Sequence, residues 1–290
     1  MLILLADAFT PDLPERLAEF GEVTSDMSRV AEAEVLIVRS RTKVDGAMLD
    51  RAARCRYIVR GGVGLDTIDA EYARTKGIIV DNTPEASSIA VAELAFAFMI
   101  AMPNHLVRAD ISMKEGKWLK KELERSELYG KTLGLVGNGR IGRELAHRTK
   151  AFGMSVIAFD KYVMSSDIVR IVCFDELLAL SDYISLHIPL IDETRGMIDA
   201  SIISRMKNGV YLINTCRGQV VVEKDIAEAL KCGKIAGYAT DVYSKEPPEG
   251  SPLFGAPNVL MAPHIGASTE ENLLRLADCI VARLKKYVGR

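Results

Sequence analysis

A glycine-rich hexapeptide, Gly137-Asn138-Gly139-Arg140-Ile141-Gly142, is followed some twenty residues on by Asp160, at the end of an apolar run. That spacing suits a dinucleotide. The first glycine permits a tight turn, the second lets backbone approach a pyrophosphate, and the third lets a helix pack closely on a strand. N–H groups at the helix start, with its positive dipole end, receive the phosphates. Asp160 can accept hydrogen bonds from the adenosine ribose and repel a 2′-phosphate, favouring NAD over NADP, a preference that Lys161 weakens. An ordinary strand-to-helix turn, with glycines kept for packing, is the bland alternative, and it leaves Asp160 unexplained.

Three more polar residues each stand after an expected strand: Arg217, Glu246 and His264. Hydride removal from an alcohol carbon needs a base for the hydroxyl proton, and histidine titrates in the right range. A carboxylate such as Glu246 orients the imidazole and favours its protonated form. Arginine anchors a substrate carboxylate with a planar fork of donors. Taken singly, Arg217 also reads as a surface cation and Glu246 as loop polarity. His105 and His147 fall on expected helices and read as structural, while His187, after a strand, reads as support for the cofactor pocket.

The elements that must position these groups alternate strand and helix. Around the hexapeptide, Leu133–Val136 and Val156–Phe159 read as strands, and residues 143–152 as a helix. Strands are expected at Leu2–Ala6, Val35–Val38, Tyr57–Val59 and Ile78–Val80, with helices at Leu13–Phe20, Ala47–Ala53 and Ala70–Lys76. A long apolar helix, Ser88–Ala101, reads as a buried connector, and residues 116–130, with Trp118, as an exposed arm. Further pairs run through Tyr183–Leu186, Gly209–Asn214, Glu223–Lys231, Ala236–Thr240 and Val259–Met261 to an amphipathic helix at Thr269–Tyr287. Unalternating apolar strands between helices imply parallel sheets covered on both faces. The loop Arg60-Gly61-Gly62-Val63-Gly64 follows a strand and reads either as an anion site of backbone N–H groups or as a flexible turn.

Composition narrows the classes. The 290 residues suffice for one large or two medium domains, and a net charge of −2 argues against nucleic-acid or anionic-membrane binding. Five scattered cysteines lack any C-x-x-C and read as reduced thiols, with neither disulfides nor a metal site expected. The N-terminus reads as a strand, not a signal peptide, and no apolar stretch is long enough to span a bilayer. A cytoplasmic protein is expected.

Together these segments resemble the D-isomer-specific 2-hydroxyacid dehydrogenases. The resemblance runs from Val35 through Thr269 and rests on Val38-Arg39-Ser40, Arg60 to Asp66, Asn82-Thr83-Pro84, Gly137 to Gly142, Asn214 to Gly218, Asp241 with Glu246, and Pro263 to Thr269. It implies a Rossmann cofactor domain inserted into a flavodoxin-like substrate domain, both doubly wound α/β units with parallel sheets. Residues 1–87 and 269–290 would form the substrate domain, and 88–268 the NAD domain. By the same resemblance His264 is the acid–base catalyst, Glu246 its partner, and Arg217 the residue that binds the substrate's carboxylate and keto oxygen. Asp241 would hold the nicotinamide carboxamide, and Arg140 and Ile141 would offer amides to the pyrophosphate. His187, Pro189, Thr194, Thr215, Cys216 and Gly266 would line the cofactor. Gly62, Val63 and Gly64 would receive the substrate carboxylate, with Ser40 nearby, and Arg39 and Arg60 would meet its far end. That pair implies a phosphorylated substrate, 3-phospho-D-glycerate, over lactate or glyoxylate. A hydroxypyruvate or glyoxylate reductase is the nearest rival, and an NAD-sensing corepressor the rival of another class.

The resemblance further implies a homodimer through the cofactor domain, and closure of the two halves to exclude water. Ser87 and Cys216 depart from the family pattern, where asparagine and alanine are usual. No C-terminal regulatory domain, and hence no serine feedback through one, is expected.

Overall fold

The computed structural model describes residues 1–289; Arg290, the last residue of the expected substrate unit, lies outside them. The chain divides into two units, one of Met1–Ala90 with the segment from Ala267, the other of Val91–Gly266.

In the first unit, short aliphatic runs form β1 (Leu2–Leu5), β2 (Glu22–Thr24), β3 (Val35–Val38), β4 (Tyr57–Arg60) and β5 (Ile79–Asn82). They pair in parallel in the order β2-β1-β3-β4-β5. Adjacent side chains of a strand point to opposite faces, so β1 and β3 feed two cores. Leu4, Leu36 and Ile58 face Leu49 and Ala73, from α2 (Gly46–Arg51) and α3 (Ala70–Thr75). Ile3, Val35, Ile37 and Val59 face Leu13 and Leu17 of α1 (Leu13–Leu17) and Ala277, Ile280 and Leu284 of the C-terminal helix, Glu270–Val288. Side chains set the helix starts: Asp45, Asp69 and Thr269 accept from the amides of Met48, Tyr72 and Asn272. The C-terminal helix is also latched by Arg275 to the Ala86 carbonyl, and by Arg283 to the Asn82 carbonyl and Glu85.

The second unit holds seven parallel strands: β6 (Thr132–Val136), β7 (Ser155–Phe159), β8 (Arg170–Ile171), β9 (Tyr183–Leu186), β10 (Val210–Asn214), β11 (Ile235–Thr240) and β12 (Val259–Met261). Their order, β12-β11-β10-β9-β6-β7-β8, reverses between β6 and β9. Its helices are α4 (Ser88–Ala101), which belongs to this unit from Val91 on, α5 (Leu106–Lys114), α6 (Arg140–Ala151), α7 (Phe174–Leu180), α8 (Ala200–Arg205) and α9 (Glu223–Lys231). α7 packs close over Gly134 in β6, where any side chain would strike Leu177 and, just past the helix, Ser181.

Four details differ from the sequence reading. The helix expected at 143–152 begins at Arg140, capped by an extended Gly139, so the last glycine of the hexapeptide lies inside its first turn. The segment 13–20 splits into an α-helical turn and a 3-10 turn. β2 went unrecognised, because a three-residue edge strand (Glu22-Val23-Thr24) carries no hydrophobic pattern. Helix α4 buries Ala92, Ala95, Phe98 and Met99 but exposes a stripe at Ile89, Glu93 and Ala97. Its sequence shows no polar face because alanine and isoleucine flank the single charge, Glu93, in that stripe.

Ile280 is fully buried in the first unit. Ile280→Ala is expected to destabilise that unit by about 2–5 kcal/mol, as deleted core methyl groups do, measured as a lower urea midpoint by circular dichroism.

Candidate active site

In an open parallel sheet, ligands bind beyond the carboxyl ends of the strands, at the point where the strand order reverses. Here that point lies between β6 and β9, and the glycine-rich turn follows β6. Its glycines do different work. Gly137 takes φ +102°, and a side chain there would collide with the His187 carbonyl. A side chain at Gly142 would strike the carbonyl of Gly137. Gly139 has an ordinary φ of −74°, and a β-carbon on it would meet nothing within 4 Å. It fronts open space at a helix N-terminus, where the first amides, those of Arg140 and Ile141, have no intrahelical acceptor. Asn138 is buried with both side-chain polar atoms unpartnered, as is the hydroxyl of buried Thr215. Open space, free amides and orphaned buried polar atoms fit a pyrophosphate-bearing dinucleotide.

Asp160 follows β7. One of its oxygens accepts from the Asn138 amide at 2.8 Å, the other from the amides of Tyr162 and Val163. The acid expected to read the ribose thus also ties the glycine turn to the next strand. Lys161 pairs with Glu193 at 2.5 Å. Pro189 and Thr194 lie in the loop after β9, where the Thr194 hydroxyl closes a turn by donating to the Pro189 carbonyl and accepting from the Ile191 amide. His187 bonds Ser185 through Nε2 at 2.9 Å, and its Nδ1 is sealed from solvent without a partner. Burial alone depresses its pKa from 6.5 to about 4, so the ring is neutral at pH 7. Cys216 donates from Sγ to Asn214 Oδ1 at 3.2 Å, and burial pushes its thiol pKa up.

After β10, buried Asn214 shapes the turn that presents Arg217: its oxygen accepts from the Cys216 amide, and its nitrogen donates to the Arg217 carbonyl. Arg217 itself donates to the Cys216 carbonyl at 2.6 Å. After β11, Asp241 is buried, and its two oxygens accept from the amides of Ile265 at 2.8 Å and Gly266 at 2.7 Å. Burial raises its carboxyl above the usual range, against the pull of those amides. His264, the residue before them, holds φ +54°, a left-handed conformation that costs a non-glycine residue about 1 kcal/mol or more. The two bonds to Asp241 help hold the chain in that shape.

His264 Nδ1 lies 2.7 Å from Glu246 Oε2. A carboxylate only accepts, so Nδ1 carries the proton and Nε2 presents its lone pair. The other Glu246 oxygen accepts from the Tyr243 amide at 3.1 Å. Within this unit the structure therefore sets His264, Glu246, Arg217 and Asp241 on turns that share one sheet edge with the glycine turn.

In the first unit, Arg39 and Ser40 follow β3, and Arg60 ends β4. Asp7, which the sequence reading missed, accepts from the amides of Arg39 and Thr42 and from the Thr42 hydroxyl. The rule that found Arg217, a polar residue just past a strand, would have found Asp7 beyond β1. Arg39 also donates to the Ala8 carbonyl at 3.1 Å. Gly62 takes φ +145° and exchanges hydrogen bonds with Thr83, while Asn82 donates to the Val63 carbonyl. Thr83 and Asn82 thus hold the loop containing Gly62, Val63 and Gly64 against the segment after β5.

Two outcomes test these placements. Gly139→Val should fold normally, because its side chain enters empty space, yet lose at least about tenfold in NADH affinity by fluorescence titration, since it occupies the pyrophosphate's path. For His187, a folded-state pKa below the unfolded one means that the unfolded chain gains the proton first. Stability is therefore complete above about pH 6.5 and falls as pH drops toward 4. His187→Gln should flatten that decline, measured as urea midpoints at pH 7 and pH 4.5.

Comparison with known proteins places the chain in a family. Residues 96–266 match the model of the D-isomer specific 2-hydroxyacid dehydrogenase, NAD binding domain. The chain is 44% identical to a hydroxypyruvate reductase of Thermotoga maritima, over 92% of this chain and 91% of that protein. It is 41% identical to a D-3-phosphoglycerate dehydrogenase of Methanocaldococcus jannaschii, over 99% of this chain, and it spans only 57% of that protein's length. Among solved structures, D-lactate dehydrogenase from Aquifex aeolicus, complexed with NAD and lactic acid, superposes with a TM-score of 0.87 at 32% identity, covering 100% of this chain and 96% of the other. The chain belongs to the NAD-binding D-isomer-specific 2-hydroxyacid dehydrogenases.

Proposed function

We propose that this protein is an NAD-dependent dehydrogenase that oxidises 3-phospho-D-glycerate to 3-phosphohydroxypyruvate. The observation that carries the chemistry is the 2.7 Å contact of His264 Nδ1 with Glu246. It leaves Nε2 as the basic nitrogen, able to take the proton of a substrate hydroxyl. Glu246 orients the ring and offsets the positive charge that the ring gains. Arg217 anchors the substrate's carboxylate. NAD, when bound, supplies the hydride acceptor. Arg140, Ile141, Asp160 and the orphaned Asn138 and Thr215 groups are the residues to hold it.

The phosphorylated substrate is supported by Arg39 and Arg60, two guanidinium groups at adjacent strand ends of the first unit, and by the name of the Methanocaldococcus jannaschii relative. The Thermotoga maritima relative supports the second reading, a hydroxypyruvate reductase. Two further features belong to the same proposal. A homodimer is supported by exposed apolar side chains on α5 and the arm, among them Leu106, Ile111, Met113 and Trp118. A cytoplasmic site of action is supported by the five free thiols.

Initial rates with NADH over phosphohydroxypyruvate, hydroxypyruvate, glyoxylate and pyruvate test the substrate. The phosphorylated acid should turn over fastest, and Arg39→Ala should lose activity on it alone. Faster turnover of hydroxypyruvate would establish the second reading. His264→Gln should lower kcat about 100- to 10,000-fold, the usual worth of a positioned acid–base group, with NADH affinity unchanged.

A further inference from the structure

A glutamate in the first turn of a helix ordinarily lies in solvent, where it complements the helix dipole. Glu223, which opens α9, is instead 9% exposed. A buried carboxylate is costly unless its oxygens are occupied, and one loop occupies both. Oε1 accepts from the Ser244 amide at 2.8 Å, and Oε2 from the Ser251 hydroxyl at 2.6 Å. The segment between these two serines contains Glu246.

The loop is fixed from the same side by two neighbours of Glu223. Gln219 donates to the Ser244 carbonyl at 2.9 Å. Gly218, directly after Arg217, lies so close to the Tyr243–Ser244 peptide that any side chain there would overlap it. Tyr243 then passes the constraint on: its amide donates to Glu246 Oε1, and its hydroxyl donates to the Ala262 carbonyl at 2.7 Å, two residues before His264.

We propose that Glu223 is a positioning residue, which clamps the loop after β11 so that Glu246 meets the imidazole of His264. The proposal rests on the dehydrogenase reading above. A dipole-complementing role would require neither burial nor two bonds to one loop.

The test uses the full chain with Glu223→Ala, Glu223→Gln, Glu246→Ala and the Glu223→Ala/Glu246→Ala pair. Glu223→Ala should lower kcat about 10- to 100-fold, the scale of a small misplacement of a reacting group, with NADH affinity unchanged. Glu223→Gln should restore most of the rate, since its amide can accept from Ser244 and donate to Ser251. The double variant should be no slower than Glu246→Ala, because both changes act through one group. Hydrogen exchange should rise over residues 243–251 in the alanine variant and stay low in the glutamine one. Full additivity in the double variant, or wild-type kcat and exchange in Glu223→Ala, would overturn the proposal. A wild-type protein without turnover on any 2-keto acid would instead sink the dehydrogenase reading and Glu223's catalytic role with it, the exchange data still reporting whether the clamp exists.

Discussion

All seven strands of the second unit run the same way, and everything chemical in that unit depends on this. Parallel strands end together on one edge, so turns far apart in sequence become neighbours. The glycine turn after β6, the Arg217 turn after β10, the Glu246 loop after β11 and the His264 turn after β12 all leave by that edge. Backbone groups released there lack ladder partners and are taken up by side chains. Asn214, Asp241 and Glu223 each serve in this way. These three buried polar residues are fasteners of loops that carry reactive side chains.

This arrangement separates two demands. Cofactor recognition calls for absence of side chains: Gly137 and Gly142 permit close packing, while Gly139 leaves room. Acid–base chemistry calls for the opposite, a side chain locked in one tautomer and one direction. His264 is held so by Glu246 on its ring and by Asp241 on the amides that follow it. The left-handed backbone at His264 persists because those contacts over-determine it. Asp241 was expected to face the nicotinamide; each of its oxygens already accepts one amide, and the remaining lone pairs are what it could offer a ligand.

The first unit repeats the logic with a five-stranded parallel sheet. Asp7 gathers the amides of the turn that carries Arg39, and Thr83 holds the Gly62 loop. Its second core is completed by the C-terminal helix, so residues at the two ends of the chain share one set of buried contacts through Ile3 and Ile280.

The sequence by itself determined most of the element order, the parallel character of both sheets and the glycine turn, because buried parallel strands read as unbroken apolar runs and the turn needs glycine at fixed offsets. It also pointed to His264, Glu246 and Arg217, since polar residues just past such strands must emerge at the sheet edge. It did not reveal β2, whose three residues carry no pattern, nor the start of α6 at Arg140, where glycine masks helical character. Only the tertiary structure decided which carboxylates act on other loops. Asp7, Asp241 and Glu223 look alike in sequence, as acids near element ends, and their tasks follow from which amides the folded backbone leaves within 3.5 Å. Such pairings join residues tens of positions apart, beyond the reach of any local spacing.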